Sequence, residues 1–202
     1  MHRLSLGAIA RSLAVALALA GATTTAANAA DYTLDPVHTQ AVFVVTHLAV
    51  SKVHGQIPLT AGTLDIGAND LPTGGTATFD VTQLDSNDDN RDKSLKSEAY
   101  LDAAKYPTMT FVVRKVVGTP QAFTLTGDLT IHGVTKSVDL KGSEVGSAVV
   151  KGARHIGYTA TTTIDRRDFG IAFANFAGGS LIAGYNVDIS IDVDAVQKAP
   201  AK

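Results

Sequence analysis

The chain has no cysteine and no tryptophan, and only six prolines and two methionines in 202 residues. Without cysteine there is no disulfide, no thiolate metal site, no thiol nucleophile and no haem attachment. Stability must come from burying apolar side chains. Aromatics are scarce, with seven Phe and five Tyr. Strong charge of one sign is missing as well: 17 basic and 19 acidic side chains give a formal charge of −2. That balance offers no electrostatic footprint for nucleic acid or anionic lipid headgroups. No G-x-S-x-G elbow, P-loop, G-x-G-x-x-G or H-E-x-x-H occurs, so no familiar catalytic motif is legible.

What is present begins with a leader. "MHRLSLGAIAR" carries Arg3 and Arg11 without an acid, "SLAVALALAGA" is a short apolar core, and "ATTTAANAA" ends in small residues. This is the layout of a secretory signal peptide over residues 1–29, cleaved after Ala29 or Ala30. Its apolar run is shorter than the roughly 20 residues a membrane span needs. Residues 30–202 then form one domain, and losing Arg3 and Arg11 moves the formal charge from −2 to −4.

Most of the remainder alternates apolar and polar residues. In "NVDISIDVDAV", Val187, Ile189, Ile191 and Val193 face one way and Asp188, Ser190, Asp192 and Asp194 the other. "TATFDVT", "AFTLTGDLTIHG", "VTKSVDLKG" and "HIGYTATTTID" repeat the pattern, and 39–50, 52–66 and 108–118 complete about eight strands. One wet and one dry face on each strand predicts an antiparallel sheet, as a sandwich or an up-and-down barrel, and the long strands favour the barrel. Small inward groups (Ala77, Gly127, Ala160, Thr162) predict an interior that is not fully plugged. In "AVFVVTHLAV" and "TMTFVVRKVV" both faces are apolar, which predicts a cover on their outer surface.

One segment breaks the strand period. In "RDKSLKSEAYLDAAKYP", Leu95, Ala99, Ala103 and Tyr106 recur at helical spacing, predicting a charged helical insert between strands 3 and 4 that packs this stripe on the barrel. "DSNDDN" before it starts like a calcium loop, but its sixth position is Asn90 and its twelfth Lys96, so it reads as a turn with Asp89 or Asn90 capping the helix. His38, His47, His54, His132 and His155 form no i, i+2 or i, i+4 pair. Any metal site would need distant strands to converge, and none is assigned. "RRDFGIAFANFAGGSLIAGYN" has neither period and reads as an apolar loop that packs on the barrel or covers a cavity mouth.

Four motifs in order resemble one family: "DYTLDPVHTQAVFVVTHLAVSKVHGQI", "RDKSLKSEAYLDAAKYPTMTF" (with Tyr100 where the family has Phe), "TGDLTIHGVTKSVDL" and "IDRRDFGI". The resemblance, from Asp31 to about Val196, is to the YceI-like exported polyisoprenoid-binding proteins. It implies an all-β, eight-stranded antiparallel lipocalin-like barrel with a long apolar tunnel. It also implies a periplasmic home, no cofactor, and a polyisoprenoid or similar amphiphilic lipid as partner. On that reading Phe43, Val45, Phe79, Val81, Phe111, Phe123, Leu125, Tyr158, Val187 and Ile189 line the tunnel. Phe169, Phe173 and Tyr100 sit near its mouth.

Two other classes stay open at this point. One is an enzyme acting on such a lipid, with Arg91, Asp92, His38 or His47 gathered at one end. The other is a structural module dimerising through the apolar outer faces of strands one and four, which is compatible with lipid carriage, as is transient membrane contact.

Overall fold

The computed structural model describes residues 30–198; the leader expected over 1–29 lies outside the described residues. Eleven strands follow in order: β1 (Ala30–Leu34), β2 (Gln40–His47), β3 (Ser51–Ile66), β4 (Pro72–Asp80), β5 (Thr108–Thr119), β6 (Ala122–Ile131), β7 (Val134–Val150), β8 (Ala153–Asp165), β9 (Phe176–Ala177), β10 (Ser180–Leu181) and β11 (Ala183–Gln197). A helix, α1 (Asp89–Lys96), lies between β4 and β5.

Neighbours pair antiparallel from β2 through to β8, and β11 closes the ring by pairing with both β8 and β2. β1 pairs with the far ends of β11 and β3, so β1 and β2 together make one stave, interrupted at Asp35–Thr39. The result is the expected eight-staved antiparallel barrel. The separate first half-stave, β1, has no alternation long enough to read.

The doubled apolar pattern of β5 has an internal cause. Its register with β6 jumps between Val113 and Lys115. This bulge reverses the phase, so Met109, Phe111 and Val113 before it and Val116 after it all pack on the core. A cover over β5 is not needed to explain those residues.

The insert is shorter than its spacing predicts. The helix stops at Lys96, where Ser97 adopts extended geometry, and hydrogen-bonded turns carry the chain to Tyr106. Its cap is Asp88, whose side chain accepts from the Arg91 amide, rather than Asp89 or Asn90. Of the expected stripe, Ala103 is buried and Leu95 half-buried, but Ala99 is exposed. Leu101, which the helical spacing left off the stripe, packs on both core clusters.

The two halves of the barrel differ. The half toward β1 is filled: Tyr32, Leu34, Leu64, Phe123, Leu125, Ile156 and Tyr158 are all buried there. Phe123 and Tyr158 meet edge-to-face at 6.0 Å, and the Tyr158 hydroxyl donates to the Asp70 carbonyl at 2.7 Å. Arg154 donates two parallel hydrogen bonds of 2.8 Å to the Asp70 carboxylate, tying the β3–β4 turn across this end. Glycine makes the interior rings possible. A Cβ on Gly55 would lie 2.2 Å from the Phe43 ring, and one on Gly127 2.2 Å from the Phe111 ring. Gly127, read as a small group leaving space, is the seat of a ring.

Candidate functional site

The half away from β1 encloses a cavity of about 420 Å³. Its walls come from the inward positions of the strands, as the period-2 pattern requires. Phe43 and Val45 of β2, Val187 and Ile189 of β11, Phe79 of β4 and Phe111 of β5 all border it. Met109, Leu129, Ile131 and Ile164 complete the walls, and Ile57, Leu84 and Leu140 lie beneath.

Two connections meet over the cavity. From the β4–β5 insert come Leu95, Tyr100 and Leu101; from the β8–β11 segment come Phe169, Ile171, Phe173 and Ile182. The Tyr100 and Phe173 ring centroids lie 4.3 Å apart, and Asn175 Nδ2 donates to the Tyr100 hydroxyl at 3.3 Å. The insert is itself locked, because the Arg91 guanidinium donates to Ser86 Oγ at 2.8 Å and the Asp92 carboxylate accepts from the Ser86 amide at 2.9 Å.

Nine of the thirteen residues expected from the sequence border the cavity, and four do not. Phe123, Leu125 and Tyr158 point inward but belong to the filled half. Alternation fixes which face a side chain takes, not its height along the barrel axis. Val81 fails for another reason. β4 ends at Asp80, whose carboxylate caps a 3-10 turn over Val81–Gln83, so Val81 is buried in that turn. The expected tunnel is therefore a cavity confined to one half of the barrel.

The polar groups on the wall are few: Thr46, His47, Arg91, Ser94, Tyr100, Thr162, Arg166 and Asn175. Among the described residues no carboxylate and no lysine borders it. Of the groups considered for an enzyme, His47 and Arg91 reach the cavity, whereas His38 lies in the break between β1 and β2, beside Asp35.

Arg166 is the feature that sequence reasoning missed. It is only 5 % exposed and, among the described residues, forms no ion pair with a carboxylate. Its guanidinium donates instead to four backbone carbonyls, those of Gly184 (3.0 Å), Ile171, Phe173 (2.8 Å) and Ala183 (3.1 Å). The Phe173 ring stacks 3.7 Å from it. Burial lowers its pKa from the ordinary guanidinium value; arginine keeps its charge in proteins as a rule. One buried cation thus organises the segment that carries Ile171, Phe173 and Ile182 onto the cavity. In the sequence it is one arginine of an Arg-Arg pair. Its neighbour Arg167 is exposed and donates to the Asp165 carboxylate, whose pKa falls to about 2 mainly through that bond.

Four known proteins or families resemble this chain. A family model described as the YceI-like domain matches residues 32–195. A UPF0312 protein of Vibrio cholerae is 34% identical over 192 residues, covering 92% of this chain and 97% of that protein. The crystal structure of the Campylobacter jejuni YCEI protein superposes with a TM-score of 0.67 at 27% identity, over 76% of this chain and 90% of that one. A Saccharophagus degradans structure described as a polyisoprenoid binding domain superposes with a TM-score of 0.60 at 15% identity, over 83% and 98%. That last likeness concerns the fold alone.

Proposed function

Since the chain belongs to the YceI-like domain family, we propose that it is a binding protein holding the tail of a polyisoprenoid or similar long-chain lipid in its barrel. The observation that carries this reading is the cavity of about 420 Å³, walled by Phe, Ile, Leu, Val and Met side chains and, among the described residues, bordered by no carboxylate. That volume falls within the usual range for small-molecule pockets. The description of the Saccharophagus degradans neighbour is consistent with it.

The energetics need no special polar group. At about 0.8 kcal/mol per buried CH₂, each five-carbon unit contributes roughly 3–4 kcal/mol gross. Ordering and immobilising the chain offsets much of this, and a few units still suffice for micromolar affinity, near −8 kcal/mol. With one half of the barrel filled, the tail enters toward the filled half and the headgroup stays at the covered end, near His47, Arg91 and Asn175.

In this reading the leader exports the protein to the periplasm, where the lipid is carried, stored or sequestered. The rim fits brief contact with a membrane during loading. Val50 and Phe176 are 82% and 63% exposed. Their turns adjoin, the Leu48 amide donating to the Ile182 carbonyl at 3.2 Å.

Native mass spectrometry of protein purified from the producing cells tests the proposal. A bound mass that organic extraction releases and identifies as a long-chain lipid is expected. A lipid-free protein that takes up no isoprenoid when offered one would overturn it.

A further inference from the structure

A second cluster lies outside the cavity lining, where the first stave is interrupted between β1 and β2. Asp35 and His38 come from the break between β1 and β2, and Asp194 from β11. One ligand atom from each lies within 4.8 Å of the other two. His38 Nδ1 is 2.8 Å from Asp35 Oδ2, and His155 Nδ1 lies 3.0 Å and 3.2 Å from the two Asp194 oxygens.

The backbone holds these groups in place before any ligand arrives. The Asp35 amide donates to the Asp194 carbonyl at 2.9 Å, the Thr39 amide to the Asp35 carbonyl at 2.8 Å, and the Asp194 amide to Thr39 Oγ1 at 3.1 Å. Asp35 Oδ1 accepts from the Val37 amide at 2.8 Å, which leaves Oδ2 turned to the imidazole. Among the described residues neither carboxylate pairs with a lysine or arginine; their only ionic partners are the two histidines. Two carboxylates thus share one small site with no permanent cation.

We propose that Asp35, His38 and Asp194 bind a divalent first-row transition ion, with Zn²⁺ the representative, and that His155 positions Asp194. The donor set is one imidazole nitrogen and two carboxylate oxygens, which suits zinc and its neighbours; the imidazole disfavours magnesium and calcium. Bonds of about 2.0–2.2 Å at tetrahedral angles put ligand atoms about 3.3–3.6 Å apart, so side-chain rotation has to draw these atoms in from within 4.8 Å. Water completes the coordination, as the exposed face of His38 allows. The ion takes the place of the proton between His38 Nδ1 and Asp35: in the neutral ring that proton moves to Nε2, and from the imidazolium one proton leaves to solvent. His155 bonded to Asp194 is the kind of outer partner that fixes a ligand's orientation. The spacing of histidines along the chain hides this arrangement, because the third ligand is supplied from the last stave.

The site does not depend on what the cavity holds. Its test is calorimetric titration of the EDTA-stripped native protein with Zn²⁺, alongside Asp194→Asn, His38→Ala, His155→Gln and, as control, His54→Ala. One ion per chain is expected for the native protein and for His54→Ala. Affinity should fall at least tenfold for Asp194→Asn and His38→Ala and about tenfold for His155→Gln. Co²⁺ should give a visible absorption band that His38→Ala removes. His38 is exposed and Asp194→Asn is isosteric, so both variants can be checked for unchanged melting. No uptake by the native protein at 0.1 mM Zn²⁺, or uptake that Asp194→Asn and His38→Ala leave unchanged, overturns the proposal.

Discussion

Tyr100 and Phe173 close one end of the barrel together: their rings lie 4.3 Å apart although one belongs to the insert after β4 and the other to the segment before β11. Neither segment covers the cavity alone. Phe173 also stacks on Arg166, so it links the cover to the buried cation beneath it.

Phe173→Ala should therefore loosen the cover more than the barrel. An aromatic pair contributes about 0.5–1.5 kcal/mol beyond its buried area. Release of a fluorescent isoprenoid, followed by stopped flow, should speed up about two- to tenfold with little change in melting temperature. Equal release rates would show that the pair does not gate the cavity.

Arg166→Lys should be costly despite keeping the charge. An ammonium has three donors and no planar fork, so it cannot serve the four carbonyls that the guanidinium reaches. Hydrogen bonds from a charged group are each worth about 1.5–3 kcal/mol, so a loss of about 3 kcal/mol or more is expected. Chemical denaturation gives the total, and hydrogen exchange should show protection lost first over residues 171–184.

Gly55→Ala and Gly127→Ala should each destabilise by about 1–3 kcal/mol through overpacking. Gly127→Ala is expected to be the worse, because its Cβ would meet the Val112 carbonyl at 2.7 Å as well as the Phe111 ring, whereas the three atoms nearest a Cβ on Gly55 all belong to the Phe43 side chain. Urea midpoints check the order.

Asp70 gives a pH dependence with a definite sign. Hydrogen bonds from Arg154 hold its carboxyl below the ordinary value of 3.8. A depressed folded-state pKa adds stability that is complete above the unfolded value and is lost as pH falls through the folded one. Asp70→Asn should lower the melting temperature near neutrality and narrow the gap to the native protein below about pH 4. A gap that stays constant down to pH 2 would contradict the assignment.

The sequence disclosed some of this structure and hid the rest for physical reasons. Alternation alone placed Val187, Ile189 and Ile191 inside and Asp188 and Asp192 outside, because strand geometry allows nothing else. It said nothing of height, so Phe123 and Phe111 looked equivalent although one plugs the barrel and the other walls the cavity. The β5 bulge imitated a strand apolar on both faces. Helical spacing at Leu95, Ala99 and Ala103 outran the helix, since turns from Ser97 onward satisfy the same backbone. Arg166 stands in the motif "IDRRDFGI", but its role was hidden, as its partners are carbonyls as far as 18 residues away.

The absence of tryptophan from the native chain makes the central claim directly measurable. Met109→Trp places a lone fluorophore on the cavity wall, and Phe123→Trp places one in the filled half. Titrated with a brominated long-chain lipid, Met109→Trp should be strongly quenched and Phe123→Trp should stay bright. Quenching of neither, or of both alike, would contradict a lipid tail housed in only one half of the barrel.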